Sequence, residues 1–481
     1  MENNTFSGKE GLYDYLNPEN VMTPLVELPP SLNPFYDDNV RISLKMMSTT
    51  ALANVKSIPS WNMLLRAYES GELKNVDTLI ENSSGNTVYS IGIFGRLFGI
   101  PTTKAVASHQ ISKGKLKLLQ FFGIQPIINE EPICPDPSDP TSGIFKAKKW
   151  ASEQKNLFNP GQYDNPENPK AHRQITAPQI WKQTKGDIQI FCSSLGTTGT
   201  MVGVGSFLKE QNNSIHTVGV ARSKNNPVPG PRTKNLLNEI AFDWKSISDD
   251  VNEIGTIESY SQSLNLCRHG LLVGPSTGFN LQGLFKSLSN KKENNELDSL
   301  RNSEGVINSV VIACDTPFPY FDEYFYYLDK KEFPIIENEE LLLIDSEQEF
   351  NESEDFQISI DDFIYKAYGE TRDSFENKNI EDISTPDNTV IFDIRSKEMH
   401  EHFHIPCAQW VDSQVVNTEK YRNKKVFVIC QRGVSSLDYV NRLQKNDINA
   451  LSINGGTIEW SYQDLPREKA SVCVQNHMKN H

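Results

Sequence analysis

Three features are missing from this sequence of 481 residues, and each absence excludes a class of protein. No apolar run is long enough to cross a bilayer, so we do not expect a membrane protein. The 47 Lys and Arg residues are outnumbered by 62 Asp and Glu, and a net charge of −15 argues against a nucleic-acid or anionic-membrane partner. The seven cysteines are scattered and form no pair of CxxC motifs, which excludes a disulfide framework and a zinc ribbon.

The first residues and the composition set further limits. Residues 1–5, Met-Glu-Asn-Asn-Thr, lack the basic and apolar regions of a signal peptide. Together with the cysteine pattern, this predicts a cytoplasmic protein. The hydrophobic content of 37% is low, but 10% aromatic and 23% charged residues are ordinary for a protein that buries a core, and the length predicts two or three domains.

From about residue 23 to residue 321, apolar β-branched runs alternate with amphipathic stretches. The predicted strands are 76–81, 102–107, 188–193, 216–221 and 306–314. The predicted helices are 57–68, 88–98, 113–122, 201–209 and 278–288. This alternation predicts an α/β fold with helices on both faces of mostly parallel sheets, which bind ligands beyond the carboxyl ends of their strands.

The composition changes near Glu337, where the chain becomes acidic and poor in glycine. We expect a large domain over residues 1–335 and an acidic linker over 336–386, with an amphipathic helix at 360–368. A small α/β domain is expected over 387–475, with strands at 390–394 and 425–430.

Three loops in the large domain share one layout, in which a strand is followed by small polar residues with glycine and then by a helix. They are residues 83–87 (Ser-Ser-Gly-Asn-Thr), 196–200 (Gly-Thr-Thr-Gly-Thr) and 274–278 (Gly-Pro-Ser-Thr-Gly). Glycine lets the backbone approach an anion, and a helix N-terminus supplies free N–H groups. The three hydroxyls of loop 196–200 suit a phosphate, although the loop has neither a Walker nor a GxGxxG spacing. Taken alone, each loop also fits an ordinary tight turn.

Together with Ala-Asn-Val-Lys-Ser at 53–57 and Thr-Pro-Leu-Val at 23–26, these loops resemble the cysteine synthase and cystathionine beta-synthase group of fold-type II pyridoxal-phosphate (PLP) enzymes. Residues 159–172 match a further segment of that group. The resemblance implies a tryptophan synthase beta-like fold of two open α/β subdomains, a homodimer, PLP as cofactor and a small amino-acid substrate.

The resemblance also implies a role for each residue. Lys56 is expected to hold the cofactor covalently and to act as catalytic base, and Ser276 to bond the pyridine nitrogen. The expected cofactor-binding residues are Lys56, Asn86, Gly196, Thr197, Thr198, Gly199, Thr200 and Ser276. The expected substrate-binding residues are Ser83, Ser84, Gly85, Thr87, Gln162 and Arg232.

The chemistry accounts for these residue types. Burial disfavours the ammonium form of Lys56, so its amine can join an aldehyde, and a serine at the ring nitrogen suits β-elimination and β-replacement. The sequence departs from the pattern of this group at two places, which bear on the identity of the substrate more than on the cofactor. Residues 57–60 (Ser-Ile-Pro-Ser) stand where the group usually has an Asp-Arg pair, and Ala221-Arg222 stands where it commonly has Glu-Pro. Arg222 and Arg232 either bring positive charge to an anionic leaving group or are solvated loop arginines.

In the small domain, a predicted strand ends at Cys430 and is followed by Gln-Arg-Gly-Val-Ser-Ser. Backbone N–H groups of such a loop stabilise a thiolate or persulfide. The layout resembles a rhodanese sulfurtransferase domain, which implies that Cys430 carries sulfur, although Ser435 stands where an arginine is usual. The alternative is a structural cysteine in a docking module. The other cysteines lack such a loop, and the histidines form no metal-ligand motif, so we expect no metal site.

The two resemblances together predict a cysteine synthase-like enzyme. An activated serine, O-acetylserine or O-phosphoserine, would lose its leaving group at the PLP site, and sulfide or sulfur carried by Cys430 would replace it. A flexible linker would favour such delivery by tethering. Two alternatives stay open: β-elimination of cysteine with capture of the sulfur, and a non-catalytic scaffold with a docking module.

Overall fold

The computed structural model describes residues 5–132, 134–338, 356–413 and 420–469. The chain divides after Ile336 into two compact units, each of which has its own sheets and core. Among the helices of the described ranges, none is long and apolar enough to cross a membrane.

The first unit contains two sheets. Its strands are β1 (Leu25–Glu27), β2 (Val40–Met46), β3 (Thr78–Asn82), β4 (Thr102–Ser108), β5 (Gln125–Asn129), β6 (Leu157–Phe158), β7 (Ile190–Ser194), β8 (His216–Arg222), β9 (Asp250–Ile254) and β10 (Ile307–Ala313). One sheet has the order β1-β2-β10-β7-β8-β9 and the other β5-β4-β3-β6. Every strand pair is parallel except β1 with β2.

Helices connect these strands and cover the sheets. They are α1 (Gly11–Leu16), α2 (Ser57–Glu69), α3 (Asn86–Leu97), α4 (Lys113–Phe121), α5 (Gly143–Glu153), α6 (Glu167–Ala171), α7 (Ala177–Gln183), α8 (Gly199–Gln211), α9 (Lys234–Leu237), α10 (Thr256–Arg268), α11 (Pro275–Glu293) and α12 (Phe321–Tyr327). A π-helical turn, His172–Thr176, joins α6 to α7. All five predicted strands and all five predicted helices of this unit are present, with ends shifted by a few residues, so the predicted α/β fold is confirmed.

The core explains why the strands of the larger sheet read as nearly continuous apolar runs. Ile307 and Val311 of β10 belong to a buried cluster with Leu284 of α11, whereas Val310 belongs to a second cluster with Val204 of α8. The sheet is therefore covered on both faces, as parallel sheets are. Each Val or Ile buried in this way stabilises the fold by about 1.5–3 kcal/mol.

The second unit is a five-stranded parallel sheet with helices. Its strands are β11 (Gln357–Ile358), β12 (Thr389–Asp393), β13 (Ala408–Trp410), β14 (Lys425–Ile429) and β15 (Ala450–Ile453), in the order β11-β15-β14-β12-β13. Its helices are α13 (Ile360–Tyr368), α14 (Arg372–Glu376), α15 (Lys397–His402), α16 (Val434–Gln444) and α17 (Gly456–Tyr462).

The stretch expected to be a linker differs from that expectation in its second half. Residues 339–355 lie outside the described residues, but 356–386 are folded into the second unit. Strand β11 pairs with β15, and Phe363 of α13 is fully buried against Phe427 and Trp460. The helix has the predicted bounds, and its apolar face requires a partner, which the sheet of this unit supplies.

Candidate active site

A pocket opens in the first unit where the loops after β3, β7 and β10 meet. It is lined by all the cofactor and substrate residues expected in this unit: Lys56, Ser83, Ser84, Gly85, Asn86, Thr87, Gln162, Gly196, Thr197, Thr198, Gly199, Thr200, Arg232 and Ser276. The pocket lies beyond the carboxyl ends of the parallel strands, as open α/β sheets predict. Cys430 belongs to the second unit and is described separately below.

Lys56 directly precedes helix α2. Burial lowers the pKa of its amine, and the neighbouring Cys314 and Asp315 oppose that shift only in part. The start of the helix is fixed by Asn54, whose side-chain oxygen accepts the Ser57 N–H at 3.1 Å. Residues 57–60, which depart from the usual Asp-Arg pair, thus preserve the helix start, and Pro59 lies in the first turn, where its missing N–H costs no hydrogen bond. The arrangement favours a neutral, nucleophilic amine.

Loop 196–200 forms a cup at the N-terminus of α8. Thr198 has φ of +65°, and its Oγ1 is buried with no hydrogen-bond partner in the described parts of the chain. A Cβ at Gly196 would lie 2.6 Å from the Gly230 carbonyl oxygen, and one at Gly199 would lie 2.1 Å from Oδ1 of Asn168. At position 196 the neighbour is backbone, so only glycine fits, whereas a side chain at position 199 would require the Asn168 side chain to move. Free N–H groups, a free hydroxyl and the helix dipole fit the phosphate of PLP.

Loop 83–87 leads into helix α3. Asn86, the first residue of that helix, donates from Nδ2 to Oδ2 of Asp315 at 2.5 Å. Thr87 Oγ1 donates to Oε1 of Gln162 at 2.9 Å, and Nε2 of Gln162 donates to the Asn82 carbonyl at 3.0 Å. Gln162 therefore lies against the loop expected to bind the substrate.

A buried carboxylate supports that contact. Oε2 of Glu81 accepts the backbone N–H groups of Gly161 at 3.0 Å and Gln162 at 3.2 Å. Burial raises the pKa of Glu81 to about 7, and the backbone hydrogen bonds only partly offset it. Glu81 thus fixes the position of the Gln162 loop.

Ser276 and Arg232 line another part of the pocket. Ser276, in the first turn of α11, donates to the Pro229 carbonyl at 3.3 Å. Arg232 is buried, with its guanidinium 5.1 Å from the centre of the Tyr163 ring. It donates from Nη1 to the Pro135 carbonyl at 2.9 Å, and its Nη2 has no hydrogen-bond partner among the residues that the structure describes. Arg222 is also buried. The reading of both as solvated loop arginines is therefore wrong, and Arg232 is the one that lines the pocket.

Sequence reasoning missed an acidic group in the same pocket. Oδ2 of Asp315 accepts from the Tyr320 hydroxyl at 2.6 Å and from Asn86, while its Oδ1 is buried and has no hydrogen-bond partner within the described ranges. Burial raises the pKa of Asp315 to about 6, despite these hydrogen bonds. Nearby, Lys115 pairs with Glu323 at 3.0 Å. Asp315 could have been found, because it is the polar residue that directly follows the predicted strand 306–314.

In the second unit, Cys430 lies between β14 and α16. Its Sγ accepts the Gly433 N–H at 3.1 Å and lies 3.2 Å from Oγ of Ser436, which in turn contacts Oγ of Ser452 at 2.8 Å. Gly433 has φ of +87°, a conformation that favours glycine. The loop therefore directs a backbone donor at the sulfur, an arrangement that suits a thiolate or persulfide. In the described parts of the chain, no group of three His, Cys, Asp or Glu side chains is arranged to hold a metal ion.

Comparison with known proteins agrees with this geometry. A model of the family "Pyridoxal-phosphate dependent enzyme" matches residues 16–299, and one of the rhodanese-like domain matches residues 376–463. Cysteine synthase B of Escherichia coli (strain K12) is 30% identical over 268 residues, which cover 55% of this chain and 84% of that protein. Cysteine synthase B of Pseudomonas aeruginosa is 29% identical over 313 residues, covering 63% and 94%.

Solved structures show the same fold for the first unit. The O-acetylserine dependent cystathionine beta-synthase from Helicobacter pylori has a TM-score of 0.54 at 21% identity, covering 64% of this chain and 96% of that one. O-ureido-L-serine synthase has a TM-score of 0.54 at 21% identity, covering 66% and 96%. With its pocket, its lysine and its matching relatives, the chain belongs to the family of pyridoxal-phosphate dependent enzymes and carries a C-terminal rhodanese-like domain.

Proposed function

We propose that the first unit replaces the β-substituent of an activated serine, O-acetylserine or O-phosphoserine, to form cysteine or a related β-substituted amino acid. The single observation that carries this proposal is the convergence of Lys56, Asn86, Ser276 and loop 196–200 in one pocket. The similarity to cysteine synthases supports the same reaction class.

The residues of the pocket define how PLP would be held. Lys56 would bind its aldehyde, loop 196–200 its phosphate, Asn86 its ring oxygen and Ser276 its pyridine nitrogen. When bound, PLP supplies an electron sink for the α-carbon of an amino acid. Because a serine hydroxyl does not protonate a pyridine nitrogen, this set suits elimination and replacement at the β-carbon.

The chain's own groups would bind the substrate and move its proton. Ser83, Ser84, Gly85 and Thr87, at the N-terminus of α3, would hold the carboxylate of the substrate, because free helix N–H groups favour anions. The lowered pKa of Lys56 favours an amine that accepts the proton of the α-carbon.

We propose that Arg232 determines which leaving group the enzyme prefers. Its unpartnered Nη2 is buried in the wall of the pocket, and guanidinium groups bind phosphate and carboxylate oxygens strongly. We therefore expect a preference for a substrate with an anionic leaving group, O-phosphoserine over O-acetylserine.

The first experiment is a spectrum of the purified protein, followed by separate additions of the two activated serines. A visible cofactor band that changes with one of them, and product formation with sulfide, supports replacement and identifies the leaving group. Lys56→Ala should abolish both the band and the turnover, whereas Lys182→Ala, which removes an exposed lysine of α7, should change neither. Turnover by Lys56→Ala would refute the assignment. A protein that binds no PLP would favour a scaffold, and a response to cysteine alone would favour β-elimination.

We further propose that the rhodanese-like domain supplies sulfur through Cys430. Its Sγ would take the outer sulfur of thiosulfate as a persulfide and release sulfite, and a small-molecule thiol, which ends as a disulfide, would then release that sulfur as sulfide for the PLP site. The Gly433 N–H, which donates to its Sγ, and the Ser436 hydroxyl, which lies 3.2 Å from it, support this role. Cys430→Ser should remove thiosulfate-dependent synthesis and leave sulfide-dependent synthesis intact, with Cys407→Ser of the same domain as matched control. Equal loss of both activities would contradict the supply of sulfur through Cys430.

A homodimer is proposed from the family resemblance, and light scattering after gel filtration tests it.

A further inference from the structure

The three threonine hydroxyls of the phosphate cup differ in what lies behind them. Thr197 Oγ1 accepts from Nδ2 of Asn168 at 3.2 Å, and Thr200 Oγ1 lies 3.1 Å from Nε2 of His172. Thr198 Oγ1 has no partner within the described chain. Two of the three hydroxyls are thus held from the side of α6 and the turn that follows it.

The chemistry of the Asn168 side chain fixes the role of Thr197. An amide NH₂ group only donates, so Thr197 Oγ1 accepts from it and the hydroxyl hydrogen remains available. A hydroxyl whose hydrogen is available can donate to a phosphate oxygen. Asn168 is itself held, because it also donates to the Gln162 carbonyl at 2.7 Å.

His172 can donate a hydrogen bond to Thr200, as Asn168 does to Thr197. Burial lowers the pKa of His172 to about 3, so the ring is neutral and carries a single N–H. Its Nδ1 lies 3.0 Å from the hydroxyl of Thr176, which can donate to that nitrogen. In the tautomer in which Thr176 donates, the hydrogen lies on Nε2 and is donated to Thr200, which leaves the Thr200 hydroxyl free to donate into the cup.

Close packing keeps both side chains in place. A Cβ at Gly203 of α8 would lie 2.2 Å from the Pro169 carbonyl oxygen and 2.8 Å from Cβ of His172. Asn168 and His172 are buried, at 2% and 0% exposure, so water does not compete for their donors. Helix α8 and the segment from α6 onward therefore pack closely together behind the cup.

We propose that Asn168 and His172 are positioning residues that orient the Thr197 and Thr200 hydroxyls as donors to the phosphate of the cofactor. The inference rests on the proposed placement of that phosphate at residues 196–200. It adds two residues that do not line the pocket, and it assigns the Nε2–H tautomer to His172.

Binding of PLP compared with binding of pyridoxal, which lacks the phosphate, tests the proposal in the cofactor-stripped full chain. His172→Phe removes the group that orients the Thr200 hydroxyl, so the hydrogen bond from Thr200 to the charged phosphate is weakened; PLP affinity should fall about tenfold, while pyridoxal binding stays nearly unchanged. His172→Gln restores an N–H donor and should recover most of the PLP affinity. Asn168→Asp, which replaces the donor by an acceptor, should also weaken PLP selectively.

The controls separate this inference from the placement of the phosphate. Thr198→Val should weaken PLP but not pyridoxal, and if it does not, the placement itself fails. If Thr198→Val has that effect and His172→Phe does not, only the positioning role is overturned. An equal loss of PLP and pyridoxal in His172→Phe would show a merely structural role. If His172→Phe does not fold, Thr176→Val provides a second test, because it leaves the imidazole in place. It should give a smaller loss of PLP affinity and no loss of pyridoxal affinity. An unchanged PLP affinity in that variant would overturn the proposal.

Discussion

Replacing Gly199 by alanine is expected to weaken both the first unit and its binding of PLP. The new Cβ would lie 2.1 Å from Oδ1, 2.6 Å from Cγ and 3.0 Å from Nδ2 of Asn168. The φ of Gly199 is not in the left-handed region, so the effect is steric and does not arise from backbone strain. Asn168 would have to rotate away, since it is the nearest group and the contact is far below van der Waals distance.

The cost follows from what Asn168 would lose. Its hydrogen bonds to the Gln162 carbonyl and to Thr197 Oγ1 contribute about 1 kcal/mol each, which gives a loss of about 2 kcal/mol in the free energy of unfolding. At about 2.1 cal/mol/K per residue, this lowers the melting temperature of the first unit by about 3 °C. Thr197 would lose its orientation as well, so PLP affinity should fall about tenfold.

Calorimetry of the full chain and titration with PLP measure the two effects. Gly114→Ala, in the first turn of α4, is the matched control, because its Cβ would meet only the exposed Asp322 carboxylate at 3.1 Å. That control should be neutral or stabilising, since alanine favours helices over glycine by about 0.5–1 kcal/mol. If Gly199→Ala melts and binds PLP like the wild type, the reasoning about the cup is refuted.

Two further predictions concern single side chains. Because burial raises the pKa of Asp315 from 3.8 to about 6, the folded state holds its proton more tightly, and the free energy of unfolding should fall by about 3 kcal/mol as the pH rises from about 4 to about 7. Asp315→Asn should lack this fall. If the free energy of unfolding, measured in urea, changes with pH equally in both proteins, the prediction is contradicted. Ser436→Ala removes a hydroxyl 3.2 Å from the Cys430 sulfur and should slow alkylation of that thiol about fivefold to tenfold at neutral pH. Ser435→Ala, at an exposed position, should not slow it. Equal alkylation rates in the two variants would contradict a role of the Ser436 hydroxyl at this thiol.

Local signals explain which parts of the fold could be predicted. Helix α13 has the predicted bounds because Ser359 caps its first turn and Gly369, with φ of +75°, ends it. The sequence of this region does not show where the helix belongs. Phe363 packs against Trp460, nearly a hundred positions further along the chain, so an acidic stretch that resembles a linker becomes part of a core.

In the candidate active site, too, local features could be predicted from the sequence but packing partners could not. Loops 83–87 and 196–200 could be predicted, because glycines and hydroxyls at the ends of strands β3 and β7 carry their own signal. Loop 274–278 lines the pocket as well, but the strand expected before it is absent, since this loop joins α10 to α11. The partners of these loops could not, because they are distant in the chain. Asp315 meets Asn86 across 229 positions, and His172 meets Thr200 only after α6 and α8 pack together.

The buried polar atoms without partners indicate what the pocket binds. Four of those in the described chain belong to residues that line this one pocket: Thr198 Oγ1, Arg232 Nη2, Tyr260 OH and Asp315 Oδ1. Each such atom costs about 1–3 kcal/mol unless a hydrogen-bond partner is supplied. Three of the four can donate and one carries negative charge when ionised, so the wall matches a ligand with several acceptor oxygens and at least one donor. A phosphate-bearing cofactor together with an amino-acid substrate has that composition, whereas a purely apolar ligand would leave all four atoms unpaired.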